Sequence, residues 1–293
     1  PSEVTVDSEC EQRGGEGIGA FFSGGVDSWY TVIRHPEITH LIYVEGFDVP
    51  LADMRLRERT RSHIRRVATE LGKPLIEVET NLRDLLDRYT LWAQESHGAA
   101  LACVAIGLAP HFDRVLIPST YPTTALRPWG SHPDLDVLWS TSGLRLVHDG
   151  VEAGRAAKVA ALKDHQLALD HLRVCWVNTD SAYNCGRCEK CLRTMTNLYA
   201  NGLLERCVTL PHRIDPALVA GLPLVEHFQR HSARANLRLL HDRRPRARAL
   251  ERAWRVAIAR GILVEQVREA RRVASSLTPG PVKASLRRRA DAR

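Results

Sequence analysis

Up to about residue 200 the chain alternates short apolar runs with helical stretches, and this rhythm limits the possible folds more than any other feature. Residues 18–22, 40–44, 75–78, 114–118, 144–147 and 173–177 read as strands. A helix starts near Asp27, and others are expected over 54–71, 99–108 and 154–169, the first of these closed by Gly72. Strands separated by helices need crossover connections, so they pair in parallel and are covered on both faces. The expected fold class is therefore α/β, a doubly wound parallel sheet. Hydrophobic residues make up 44% and charged residues 26% of the 293, ordinary values for a globular chain. No stretch approaches the ~18 apolar residues needed to cross a bilayer. The polar start (PSEVTVDSECEQRGGEG) lacks the apolar core of a signal peptide. Seven cysteines without an export signal point to a reducing, cytoplasmic setting, where ligands or core residues are expected rather than disulfides.

Two segments break the rhythm. Residues 122–142 form a long polar and aromatic insertion, and loops of that length inside a domain usually carry function. Beyond Pro211 the pattern becomes wholly helical. Three regions follow: a flexible N-terminus (1–16), a nucleotide-binding domain (17–205) and a basic helical extension (206–293). Residues 231–293 hold 17 Lys and Arg against 5 Asp and Glu, so the rest of a chain with net charge +7 is acidic. Clustered Arg in the extension can pair with RNA phosphates, but it carries no aromatic interleaving beyond Trp254; a solvated helix face is the favoured reading.

The first motif is Ser23-Gly-Gly-Val-Asp-Ser28, placed between a strand and a helix. Two adjacent glycines let the backbone approach a phosphate closely, and the helix N-terminus behind them favours an anion. Ser23 and Ser28 can donate to phosphate oxygens. Asp27 cannot face phosphate without a cation between them, which points to Mg²⁺. The stretch SGGVDS resembles the SGGxDS signature of the PP-loop ATP pyrophosphatases, a family with a HUP-like fold that includes asparagine and NAD synthetases, tRNA thiolases and 7-cyano-7-deazaguanine synthase. The resemblance implies ATP cleaved between its α- and β-phosphates, a substrate–AMP intermediate, and pyrophosphate held by Ser23, Gly24, Gly25, Val26, Asp27 and Ser28.

The second motif is Cys175, Cys185, Cys188 and Cys191, spaced C-x9-C-x2-C-x2-C. Four thiolates close a tetrahedral Zn²⁺ shell and leave no position for water, so the site is structural. An iron–sulfur cluster uses the same ligands and stands as the competitor. A Cys followed by CxxCxxC late in a PP-loop domain is similar to 7-cyano-7-deazaguanine synthase. That likeness implies adenylation of a small-molecule carboxylate and attack by ammonia. The 122–142 insertion and the region after 211 depart from that family, so the deazaguanine substrate does not carry over. Sulfur insertion into a nucleobase or tRNA, carboxylate activation for epimerisation of a glutamyl group, and a non-catalytic nucleotide- or RNA-binding module are the alternatives. Sulfur transfer would need Cys10, Cys103 or Cys207 once the other four bind metal; Cys103 reads as core.

Further candidates are weaker. Asp149 can hold Mg²⁺, orient His148 or form a turn, and Asp48, just past the second strand, can touch substrate or nucleotide or cap a turn. Arg155 and Lys158 share a helix face and can neutralise pyrophosphate or simply meet solvent. In the insertion, Trp129, His132, Asp134 and Asp136 are candidates for clamping a polar substrate. Ser119 and Thr120 end the fourth strand at the edge where doubly wound sheets bind ligands. His97 is equally a local hydrogen-bonder or a catalyst.

Overall fold

The structure, a computed structural model, describes residues 14–243 and 245–277. Cys10, most of the expected flexible N-terminus and the Arg-rich end of the tail lie outside them. Two compact units divide between His212 and Arg213, beyond the 205/206 boundary expected from the sequence.

The first unit runs β1 (Gly17–Phe21), α1 (Val26–Arg34), β2 (His40–Glu45), α2 (Met54–Glu70), β3 (Leu75–Glu79), α3 (Leu82–Leu86), α4 (His97–Gly107), β4 (Phe112–Pro118), α5 (Pro133–Asp136), β5 (Arg145–Asp149), α6 (Arg155–Ala160), α7 (Gln166–His171) and α8 (Glu189–Ala200). The five strands form one sheet in the order β3-β2-β1-β4-β5, with every pair parallel. Alternation puts Phe21, Ile42, Val115 and Leu146 on one face, where they meet Ala102 and Ala105 of α4. Small side chains there let the helix approach closely. The other face carries Ala20, Leu41, Tyr43 and Leu116, also buried. A sheet covered on both sides explains the nearly continuous apolar runs.

Two expectations fail. Residues 173–177 are not a strand: the Val174 and Cys175 amides donate to Asn184 Oδ1 (2.8 and 3.0 Å), and the Arg173 amide donates to the Gly24 carbonyl (2.9 Å). Those donors are spent on a side chain and a loop, so the segment cannot extend the sheet. The single helix over 154–169 is instead α6, a 3-10 turn (Ala161–Asp164) and α7, broken where His165 adopts φ −119°, ψ 80°. The second unit contains α9 (Pro216–Ala220), α10 (His227–Asp242) and α11 (Arg248–Leu277). Trp254 is fully buried, and Gly261 lies where a Cβ would sit 2.2 Å from the Leu224 carbonyl oxygen. Among the described residues no helix is long and apolar enough to cross a membrane.

Between α2 and α7, His63 Nδ1 lies 2.8 Å from His171 Nδ1, and the His63 ring stacks on Tyr183 at 4.2 Å. One ring must donate and the other accept, so both cannot be charged. Burial, then the His171 charge, pushes His63 down to about 4. The folded value lies below the unfolded value of about 6.5, so the unfolded chain binds more protons between the two. This contribution to stability is complete above pH ~6.5 and declines as pH falls toward 4. Urea unfolding between pH 7 and 4.5 is expected to show a steeper acid loss for the native chain than for His63→Gln. Parallel slopes would show that the pair does not titrate on unfolding.

Candidate functional site

The glycine loop lies at the carboxyl end of β1, the central strand. From β1 the chain order runs to β2 on one side and to β4 on the other, which makes this edge the switch point where doubly wound sheets bind ligands. The Phe22 amide donates to the Ile42 carbonyl (2.8 Å), and its ring meets Trp29 edge-on at 5.0 Å, fixing the strand exit. Gly24 then turns with φ +73°, a left-handed conformation that a side chain would strain. Gly25 opens α1 in extended geometry with no side-chain cap. The amides of the first helical turn are thus left without a capping side chain. Ser28 donates its hydroxyl to the Gly25 carbonyl (3.0 Å), locking the turn from inside.

Asp27 faces two cations. Arg155 Nη2 donates to Oδ2 at 2.8 Å, and Lys158 Nζ lies 3.4 Å from Oδ1. Lys158 is 1% exposed and donates to the Ser119 carbonyl at 2.6 Å. Burial pushes its pKa down, and Asp27 opposes that shift. The structure thus brings Asp27, Arg155 and Lys158 together. The two basic side chains pair the carboxylate for which the sequence suggests Mg²⁺. Asp149 is turned away from the loop: its oxygens meet Thr31 Oγ1 (2.6 Å) and His35 Nε2 (2.8 Å) on α1. Although burial opposes it, the His35 pKa is raised, because Glu37 and Asp149 both hydrogen-bond to it. Both candidate Mg²⁺ carboxylates are thus committed to protein partners. Among the described residues, the four cysteines are the one grouping of three or more potential metal ligands.

A cavity of about 240 Å³ opens over this edge. Ser23, Gly25, Val26, Asp27, Ser28, Thr120, Trp129 and Arg155 line it, as the sequence suggests. Asp136 is instead buried beneath the insertion, where Ser131 Oγ donates to it (2.6 Å) and His148 Nδ1 lies at 2.7 Å. His132 accepts the Asp134 amide (3.2 Å), and the Asp134 carboxylate faces solvent. Ser119 is buried and donates to the Tyr121 carbonyl. Those four shape the insertion and the strand end without lining the cavity.

Several lining residues carry no motif in the sequence. Phe47 packs on Trp92 with ring centroids 5.0 Å apart, and His97 lies 6.2 Å from both Trp92 and Trp129. Trp92 begins a single π-helical turn, Trp92–Ser96, a feature frequent at functional sites. His97 Nδ1 lies 3.2 Å from the Trp92 carbonyl, and burial lowers its pKa, so the ring is neutral near pH 7 with Nδ1–H donating. Arg173, Tyr43, Lys190, Thr60, Ser131 and the strand-end candidate Asp48 complete the polar lining, and the Asp48 charge opposes the downward push of burial on the Lys190 pKa. Of these, Lys190 had a readable signal: a lone cation between two cysteines of the four-cysteine motif.

The four cysteine sulfurs all lie within 4.8 Å of one another, with Cys175 to Cys188 at 4.0 Å and Cys185 to Cys191 at 3.8 Å. A tetrahedral ion with bonds of about 2.3 Å requires edges of about 3.8 Å, so the cluster fits zinc. The Cys188 amide donates to Cys185 Sγ (3.3 Å) and the Cys191 amide to Cys188 Sγ (3.5 Å), as expected around thiolates. Gly186 makes the turn with φ +68°, and a Cβ there would sit 2.7 Å from Pro211 Cγ. Asn184 anchors the Cys175 arm from its other end, donating to the Leu172 carbonyl (2.8 Å). Of the remaining described cysteines, Cys207 is fully buried with its thiol pushed up by burial, and Cys103 borders a separate pocket near Asp84 and Arg88. Comparison with protein-family models, with curated proteins and with solved structures finds no match.

Proposed function

We propose that this chain is an AMP-forming, ATP-dependent enzyme that activates a carboxylate of a small molecule. The observation that carries the reading is the left-handed Gly24 turn ahead of α1, set at the switch point of a parallel sheet with Arg155 and Lys158 against its aspartate. Uncapped amides and basic side chains on one edge suit a polyphosphate. The carboxylate oxygen attacks the α-phosphorus, the bond to the bridging oxygen breaks, and pyrophosphate leaves with the electron pair. Ammonia or another amine then adds to the acyl carbon, gives up a proton and displaces AMP. His97, neutral and facing the cavity, is positioned to take that proton. The aromatic wall of Phe47, Trp92 and Trp129 suits a planar group such as the purine of ATP. Zinc, when bound, supplies a structural crosslink and no reacting position. Cys207 is fully buried and Cys103 borders a separate pocket, so neither lines the cavity that sulfur transfer would use.

Incubation with ATP, ammonium and a panel of small carboxylic acids is expected to yield AMP and pyrophosphate with at least one acid. Release of ADP and phosphate instead would refute an adenylation mechanism.

A further inference from the structure

The knuckle forms part of the cavity wall. Arg173, Val174, Cys175 and Lys190 all line the cavity, so residues on both arms of the cysteine cluster face it. The same segment is tied to the glycine loop by the Arg173 amide at the Gly24 carbonyl (2.9 Å). It is tied to the end of β2 by Asn178 Nδ2 at the Asp48 carbonyl (2.8 Å).

The cations of the cavity divide into two sets. Arg155 and Lys158 share the carboxylate of Asp27. Lys190 and Arg173 form no ion pair with any described residue. Arg173 is 5% exposed, and its Nε is buried without a hydrogen-bond partner, although Nη2 donates to Asn178 Oδ1 (2.7 Å). The Arg173 side chain lines the cavity with its guanidinium charge unmatched by a carboxylate within ion-pair distance among the described residues. Lys190 sits in the first turn of α8 between Cys188 and Cys191, so the geometry of the cysteine cluster fixes where its stem begins.

We propose that Lys190 and Arg173 form an anion-gripping wall, and that the metal at the cysteine cluster holds this wall in place. The ligand class is a polyphosphate, with its oxygens between this wall and the glycine loop. The metal site thereby sets ligand affinity as well as stability. This rests on the nucleotide reading above, which supplies the anion.

The probe is inorganic pyrophosphate, titrated calorimetrically into the full-length chain, with ATP in parallel and metal content measured on each sample. Lys190→Met is expected to weaken pyrophosphate binding at least about tenfold while keeping the metal content of the native chain. Lys190→Arg, which keeps the charge, is expected to recover most of the affinity. Chelation of the native chain under conditions that preserve its far-ultraviolet circular dichroism is expected to weaken binding by a similar factor, and to add little in Lys190→Met. Native-like affinity in a metal-loaded Lys190→Met protein would overturn this inference while leaving the nucleotide reading intact. A native chain that binds neither ATP nor pyrophosphate would remove both.

Discussion

Replacing Asp27 by asparagine is expected to destabilise the first unit by up to about 3–5 kcal/mol, the usual result of leaving a buried charge unpaired, here that of Lys158. The substitution keeps the shape of the side chain and deletes only its charge. Arg155 and the fully enclosed Lys158 would then face each other across a neutral amide, with no other carboxylate paired to either. Lys158 already has its pKa pushed down by burial and is restrained chiefly by Asp27. Without that restraint its pKa is expected to fall further, which softens the destabilisation at neutral pH and moves the cost to low pH. Urea unfolding at pH 7 measures the loss directly; a midpoint within error of the native chain would show that the triad contributes nothing. The same variant is expected to lower AMP formation at least about a hundredfold, because the cations set against the departing pyrophosphate would no longer be held in place.

The second large effect is expected at Cys191. Its sulfur is fully buried, and replacement by serine leaves three thiolates around a closed tetrahedral position. Structural zinc contributes about 10–16 kcal/mol of apparent binding free energy in small zinc-dependent folds, comparable to the whole stability of an ordinary domain. A Cys191→Ser chain is therefore expected to purify without stoichiometric metal and to unfold in urea at a much lower concentration. The native chain treated with a strong chelator under reducing conditions is expected to behave alike. Full metal occupancy in the variant would show that the cluster needs only three of its cysteines.

The parallel sheet was legible because its inner strands β2, β1 and β4 are largely buried on both faces and so read as apolar runs between helices. The glycine loop and the cysteine cluster were legible because their chemistry depends on short, contiguous spacing. Residues 173–177 misled because an apolar run fits an extended segment as well as a strand. What decides between them is Asn184, whose side chain takes the amides a neighbouring strand would need. Asp149 likewise sits at the expected edge, yet its direction is set by Thr31 and His35 more than a hundred residues earlier. Phe47, Trp92 and Tyr43 reach the cavity only through tertiary folding, and no local pattern marks them.

The bond between the Gly24 carbonyl and the Arg173 amide joins points far apart along the chain. During synthesis from the N-terminus, the glycine bend therefore emerges long before the segment that finishes it. A nascent polypeptide ending short of Arg173 would own the bend but not its brace. The braced form of the bend is thus expected to arrive late and abruptly, when the cysteine-rich stretch clears the ribosome and folds against it.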